Sequence, residues 1–185
     1  MSENILVLTG NPRREEDNNT LADAFIKGAI KNKNKVIKVN LAEKKINGYN
    51  ADNGCRISTR SGNAYDDLAE LELLLEDTDV LVIVMPIYWP VISAQAKVTL
   101  GHLCQCGSDD GEKHLHIKEA ILLTCGETDD AEDFMMTKTF LNMLSDFNGM
   151  KVRDMIAVSG VNLNGDINGN DVLVQAEKLG LSVGA

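Results

Sequence analysis

Basic residues are in short supply: 18 Lys and Arg stand against 28 Asp and Glu, a formal charge of −10 in 185 residues. Gripping nucleic acid or an anionic membrane needs Lys and Arg to neutralise phosphates, so neither is expected as a partner. Any anionic ligand must be held at a local site. Long hydrophobic runs are also missing. The longest near-continuous one, Val80 to Ile92, contains Pro86 and Pro90 and falls short of the roughly 20 residues that cross a bilayer. Met1 to Leu8 shows no basic leader or small-residue cleavage site, and a cytoplasmic location is expected. Cys55, Cys104, Cys106 and Cys125 are too few and too unevenly spaced for a disulfide framework, so free thiols in a reducing cytosol are expected. Aromatics are scarce, at one Trp, three Tyr and four Phe, which makes any that fall in a loop informative. No repeat or Pro/Gly/Ser linker divides the chain. A chain of this length buries roughly 70% of its unfolded surface without staples, so a single domain over 1–185 is expected.

What is present is an alternation. Short apolar runs at Ile5 to Thr9, Val36 to Leu41, Val80 to Met85, Ala120 to Cys125 and Met155 to Ser159 read as strands. Stretches of helical periodicity lie at Thr20 to Lys31, Tyr65 to Glu76, Ser93 to Leu103 and Ala131 to Phe147, with a fifth near Asn170 to Leu179. Runs such as VLVIVM are apolar on both faces, as in parallel strands covered by helices on each side. The fold class is therefore α/β, a three-layer, doubly wound, five-stranded parallel sheet. Ala42 to Ala64 reads as a long excursion, and the acids Asp66, Asp67, Glu70 and Glu72 read as a solvated helix face.

In such sheets ligands bind beyond the carboxyl ends of the strands, where strand order reverses. After ILVLT the chain reads GNPRREEDNNT and enters a helix, with Asn19 or Thr20 as N-cap and Asp23 as capping-box acid. Helix-terminal N–H groups together with Asn11, Arg13, Asn18, Asn19 and Thr20 make a candidate anion site; an ordinary capped βα turn is the other reading. Glu15, Glu16 and Asp17 must then point outward to spare the anion their repulsion. After VLVIVM the loop Pro86, Ile87, Tyr88, Trp89, Pro90 holds the only Trp. Adjacent aromatics between prolines suit a flat apolar ligand, or a small satellite core. After AILLT, Gly126 would let backbone approach a ligand closely.

Taken together, LTGNPR with NNT, MPIYWPVISAQAK, LLTCGE, and GVNLNGDINGN with AEKLG resemble the flavodoxin-like NAD(P)H-dependent FMN reductase family, including its iron-sulfur flavoprotein branch. The resemblance implies strand order 2-1-3-4-5, bound FMN, NADH or NADPH as co-substrate, and a homodimer with flavin sites near the interface. Carried over by position, it implies Asn11, Arg13, Asn19 and Thr20 at the phosphate. It likewise implies Pro86, Ile87, Tyr88 and Trp89 along the flavin ring, and Thr124, Cys125 and Gly126 on the ring's other side. In the iron-sulfur branch, closely spaced cysteines bind a cluster; here INGYNADNGC retains only Cys55, with Tyr49 and Asp52 in the other places. One thiolate cannot supply about four cluster ligands, so no iron-sulfur centre is expected.

His102, Cys104, Cys106, His114 and His116 form a second concentration of soft ligands, but their Cys-x-Cys and His-x-His spacings do not match common zinc sites. No metal is expected, and no acid, base or nucleophile is assigned. The function implied is transfer of electrons from a nicotinamide through FMN to a small acceptor such as a quinone or flavin. The alternatives are an FMN carrier serving a protein partner, and a binding protein that has lost the cofactor.

Overall fold

The computed structural model describes residues 2–11, 17–48, 67–88, 91–103, 115–128 and 130–185. Its strands are β1 (Asn4–Thr9), β2 (Lys35–Asn40), β3 (Val80–Tyr88), β4 (Val91–Ile92), β5 (Glu119–Cys125) and β6 (Lys151–Val158). Its helices are α1 (Asp17–Lys31), α2 (Leu68–Glu76), α3 (Ala94–Leu103), α4 (Met135–Asn148) and α5 (Asp171–Ser182). Five strands run parallel in the order β2-β1-β3-β5-β6, and the two-residue β4 pairs antiparallel to the end of β3. Counting the five long strands alone, this is the expected 2-1-3-4-5 order.

Strand side chains alternate between two cores. On one face Ile5, Val7, Val82, Val84, Ile121 and Leu123 meet Leu21, Ala22 and Phe25 of α1 and Val172 and Ala176 of α5. On the other, Leu6, Leu8, Leu81, Ile83 and Leu122 meet α2 through Leu71 and Leu75, α3 through Leu100, and α4 through Leu141 and Leu144. Both faces of the central strands are buried, which is why those strands read as unbroken apolar runs.

Two strand boundaries and one burial depart notably from the sequence expectation. β6 begins at Lys151 rather than Met155. It is the last strand in the sheet order, and Arg153 sits where the register with β5 slips between Ala120 and Ile121; a half-exposed, irregular edge carries no continuous apolar signal. β3 continues past Met85 through Pro86 to Tyr88, where Ile87 and Tyr88 pair with Ile92 and Val91. Pro86 is tolerated because β1 has ended. Val84 accepts from Gly10 N–H, so the alternation of backbone groups aims position 86 to that same, vacated side, and its missing N–H costs no ladder bond. Thirdly, Glu72 of α2 is buried at 6% exposure, so the acidic face is not wholly solvated. Glu70 pairs with Lys44 at 2.6 Å, and Asp67 accepts from the Lys45 N–H at 2.7 Å.

Candidate functional site at the strand ends

Sheet order reverses between β1, which connects outward to β2, and β3, which connects the other way to β5. The crevice lies beyond their carboxyl ends. Gly10 opens it: its N–H donates to Val84 O at 3.1 Å, and its carbonyl accepts from Ser93 Oγ at 2.8 Å. A Cβ on Gly10 would lie 2.8 Å from that Oγ and 3.2 Å from the Met85 sulfur. Only glycine permits so close an approach. Ser93 Oγ also accepts from the Ala96 N–H at 3.4 Å, capping α3 while pinning the first loop. Ser93 was not among the sequence candidates, although a serine directly before a helix is a readable cap signal.

Helix α1 starts at Asp17 rather than after Asn19 or Thr20. Asn19 and Thr20 are half-buried in its first turn instead of capping it. Asp23 is no capping-box acid, because its carboxylate pairs with Lys38 at 2.7 Å. Asp17 does not point outward either. It is 4% exposed and accepts from the N–H groups of Gly165 at 3.0 Å and Ile167 at 3.4 Å. Asn18, equally buried, accepts from the Cys125 N–H at 3.2 Å. These residues bind the first turn of α1 to the end of β5 and to the loop after β6. The partners lie more than a hundred residues away, and local sequence carries no sign of them.

Of the other sequence candidates, Asn11 is buried at 1% exposure, and Arg13, Trp89, Glu15 and Glu16 fall outside the described residues. Pro86 is buried and Ile87 half-buried; Tyr88 ends the strand. The Thr124 hydroxyl donates to Met85 O at 2.7 Å, and the Cys125 side chain is buried in the core cluster that includes Val158. Both side chains are therefore engaged within the protein. Gly126 donates to Val158 O and accepts from Val161 N–H, each at 3.0 Å. A Cβ there would lie 3.7 Å from the Ile87 Cβ, so the β3 and β5 ends meet directly. The loop after β6 is braced by Asp166, whose carboxyl is held below its usual range by the N–H groups of Leu163 and Asn162.

The donor set suits a phosphorylated, flat ligand. Uncharged amide and hydroxyl groups occupy the positive end of α1, and Asp17, the described acid at that end, turns its carboxylate into backbone donors of the 165–167 turn. Ile87 and Gly126 give an apolar, low-relief wall.

The soft-ligand set is partly visible. His102 is buried, with Nε2 2.9 Å from Asn47 O, and His116 is exposed; Cys104, Cys106 and His114 lie outside the described residues, as do Tyr49, Asp52 and Cys55. Among the described residues no group of three or more His, Cys, Asp or Glu is placed to hold a metal ion, and no helix is long and apolar enough to cross a membrane.

Comparison with known proteins agrees with this architecture. An iron-sulfur flavoprotein of Archaeoglobus fulgidus is 28% identical over 102 residues, covering 54% of this chain and 45% of that protein; the match thus spans under half of the relative's length. Among solved structures, an NAD(P)H:quinone oxidoreductase from Methanothermobacter marburgensis superposes with a TM-score of 0.67 at 17% identity, covering 100% of this chain and 98% of that one. RosB, solved with bound 8-demethyl-8-formylriboflavin-5'-phosphate, gives a TM-score of 0.74 at 20% identity, covering 97% and 75%. At these identities the likeness is one of fold. A family model described as "Flavodoxin-like fold" matches residues 3–179, and with its sheet order and strand-end crevice the chain belongs to this flavodoxin-like family.

Proposed function

We propose that the protein is an NAD(P)H-dependent FMN oxidoreductase that passes electrons from a nicotinamide to a small acceptor such as a quinone or free flavin. The observation that carries this reading is the crevice at the sheet reversal, where the first turn of α1 is tied through Asn18 to the end of β5 beside Ile87 and Gly126. FMN, when bound, supplies the hydride and electron chemistry. Asn19, Thr20 and Arg13 would hold its phosphate, with Asn11 in the same loop. Pro86, Ile87, Tyr88 and Trp89 would border the ring on one side, and the backbone of Thr124, Cys125 and Gly126 on the other. The bonds made by Asn18, Asp17 and Ser93 fix these segments relative to one another before a ligand arrives, which lowers the ordering cost of binding. The quinone oxidoreductase and flavin-bound RosB among the similar folds support the reading. A single domain, a homodimer and a cytoplasmic location complete it.

The test is the visible spectrum of purified protein before and after addition of FMN, followed by stopped-flow mixing with NADH and NADPH. Flavin uptake and bleaching by one nicotinamide are expected; a preparation that takes up no FMN refutes the proposal. Bleaching only by a protein reductant would leave an electron carrier. Thr20→Ala and Arg13→Ala should each weaken FMN binding about tenfold, the loss of one charge-assisted hydrogen bond. Unchanged dissociation constants in both would misplace the phosphate.

A further inference from the structure

The two edges of the sheet are protected differently. An open edge presents unpaired N–H and C=O groups to any extended chain, and charged residues, prolines and bulges blunt it. The β2 edge carries exposed Lys35 and Lys38. On β6 such devices stop halfway. The bulge opposite Ala120 and Ile121, the Arg153 guanidinium on Ser182, and Asp154, whose carboxylate accepts from the Met155 N–H at 2.8 Å, all lie in its first half. Residues 155–159 carry no charge and no proline. Val158 O accepts from the Gly126 N–H on the β5 side, so alternation turns both backbone groups of Ala157, and the C=O of Met155, outward. Ala157 is exposed.

Beside that unprotected stretch lies a cavity of about 450 Å³, between residues 154–159 and a stripe of α5 formed by Val172, Gln175 and Leu179. Asp154, Ile156 and Val158 are in register with Ile121, Leu123 and Cys125, on the face of the sheet that α1 and α5 cover. Helix α5 packs tightly on α1, and Ile156 at the edge stays half-buried. We propose that the β6 edge and this cavity together bind an extended, basic segment of another protein, added to the sheet as a further strand. The inference does not depend on the flavin. Backbone bonds to Ala157 and Met155 align the segment, and its alternate side chains, on the α5 side, enter the cavity. Charge selects the occupant. Among the described residues Asp154 takes part in no ion pair, while Asp171 and Lys178, exposed on α5, offset each other. The edge thus keeps one carboxylate without a cation, in a chain of net charge −10. A second copy brings the same net charge and is repelled, whereas a segment bearing Lys or Arg is attracted.

Fluorescence anisotropy of the full chain with an end-blocked, labelled peptide, Thr-Lys-Thr-Val-Thr-Val-Thr-Lys-Thr, tests this. Its valines and lysines share one face, so valine enters the cavity and a lysine reaches Asp154 in either direction of pairing. Binding is expected, weakened about tenfold in Ala157→Pro, which removes one outward N–H. Proline is tolerated there because that N–H takes no part in the ladder to β5, and far-ultraviolet circular dichroism checks the fold. Asp154→Asn keeps the bond to the Met155 N–H and should weaken binding about threefold at low salt. A second measurement needs no variant: of two peptides N-methylated at the valines alone or at the three central threonines alone, one should bind and the other not, since only alternate N–H groups face β6. No binding to wild type at about 1 mM peptide, full binding to folded Ala157→Pro, or equal binding of the two N-methylated peptides overturns the proposal. Equal affinity for a peptide with glutamate in place of lysine overturns the basic occupant. A wild type that dimerises by light scattering and becomes monomeric in Ala157→Pro gives the edge to a second copy and overturns it likewise. None of these outcomes bears on FMN uptake.

Discussion

Thr137 and Ser145 lie on the core side of α4, each 1% exposed, and neither hydroxyl has a hydrogen-bond partner among the described residues. A buried hydroxyl without a partner carries a desolvation cost of about 1–3 kcal/mol. Thr137→Val, which keeps the shape and removes the hydroxyl, should therefore stabilise the protein by about 1 kcal/mol. Ser145→Ala should do at least as well, since it also raises helix propensity. Urea midpoints at unchanged slope are the measurement, and a lower midpoint in both would show that the hydroxyls have partners. At the same scale, Gly10 and Ser93 show what a sequence withholds. The serine was visible as a cap, but its second bond, to a carbonyl 83 residues away, exists only because the sheet brings the first loop under α3.

Between elements, α1 and α5 pack backbone against backbone. A Cβ on Gly28 would sit 1.9 Å from Glu177 O, and one on Gly180 would sit 2.1 Å from Phe25 O. Alanine normally stabilises a helix interior by about 1 kcal/mol relative to glycine. Here that gain is outweighed, because both obstructing atoms are backbone and the helices must separate to relieve the overlap. Gly28→Ala and Gly180→Ala should each destabilise by at least about 2 kcal/mol. Gly101→Ala in α3, where a Cβ would meet nothing within 4 Å, should stabilise by about 0.5–1 kcal/mol. Thermal unfolding of the three variants checks the opposite signs. Strand and helix order at this scale was legible from alternating buried runs and helical periodicity. The start of β6 was not, since Arg153 and Asp154 interrupt its apolar pattern at the sheet edge, and the start of α1 was obscured because Asp17 and Asn18 bond to distant loops rather than serving as local caps.

For the whole molecule, acid is the informative perturbation. The ammonium groups of Lys27 and Lys31 hold the Glu177 carboxyl down to about 2 from an ordinary 4.5. Burial pushes the Asp79 carboxyl up, but the Asn4 N–H and the Lys118 ammonium outweigh it and leave Asp79 below its usual range. A carboxyl whose folded pKa is depressed binds its proton more readily in the unfolded chain. Its contribution is thus present above the unfolded value and lost as pH falls through the folded one. Thermal stability should decline between about pH 4.5 and pH 2, the interval set by Glu177. Glu177→Gln should flatten part of that decline at low ionic strength, and about 1 M salt should shrink the difference, because Glu177 lies at the surface. An identical pH profile for the variant would remove Glu177 from the account.

The amino-acid sequence by itself determined the class of architecture. Runs apolar on both faces must be covered on both sides, and helical stripes of matching length supply the covers; these are local periodicities, readable without any partner. It also marked the loops that follow the strands. What only the tertiary structure decided is how those loops are held: Asp17 on the 165–167 amides, Asn18 on Cys125, Ser93 on Gly10, and Pro86 in a strand extension beside a strand that has already ended. Each depends on groups far apart along the chain meeting at one edge of the sheet, and hydrogen-bond partners at such separations leave no periodic trace in sequence.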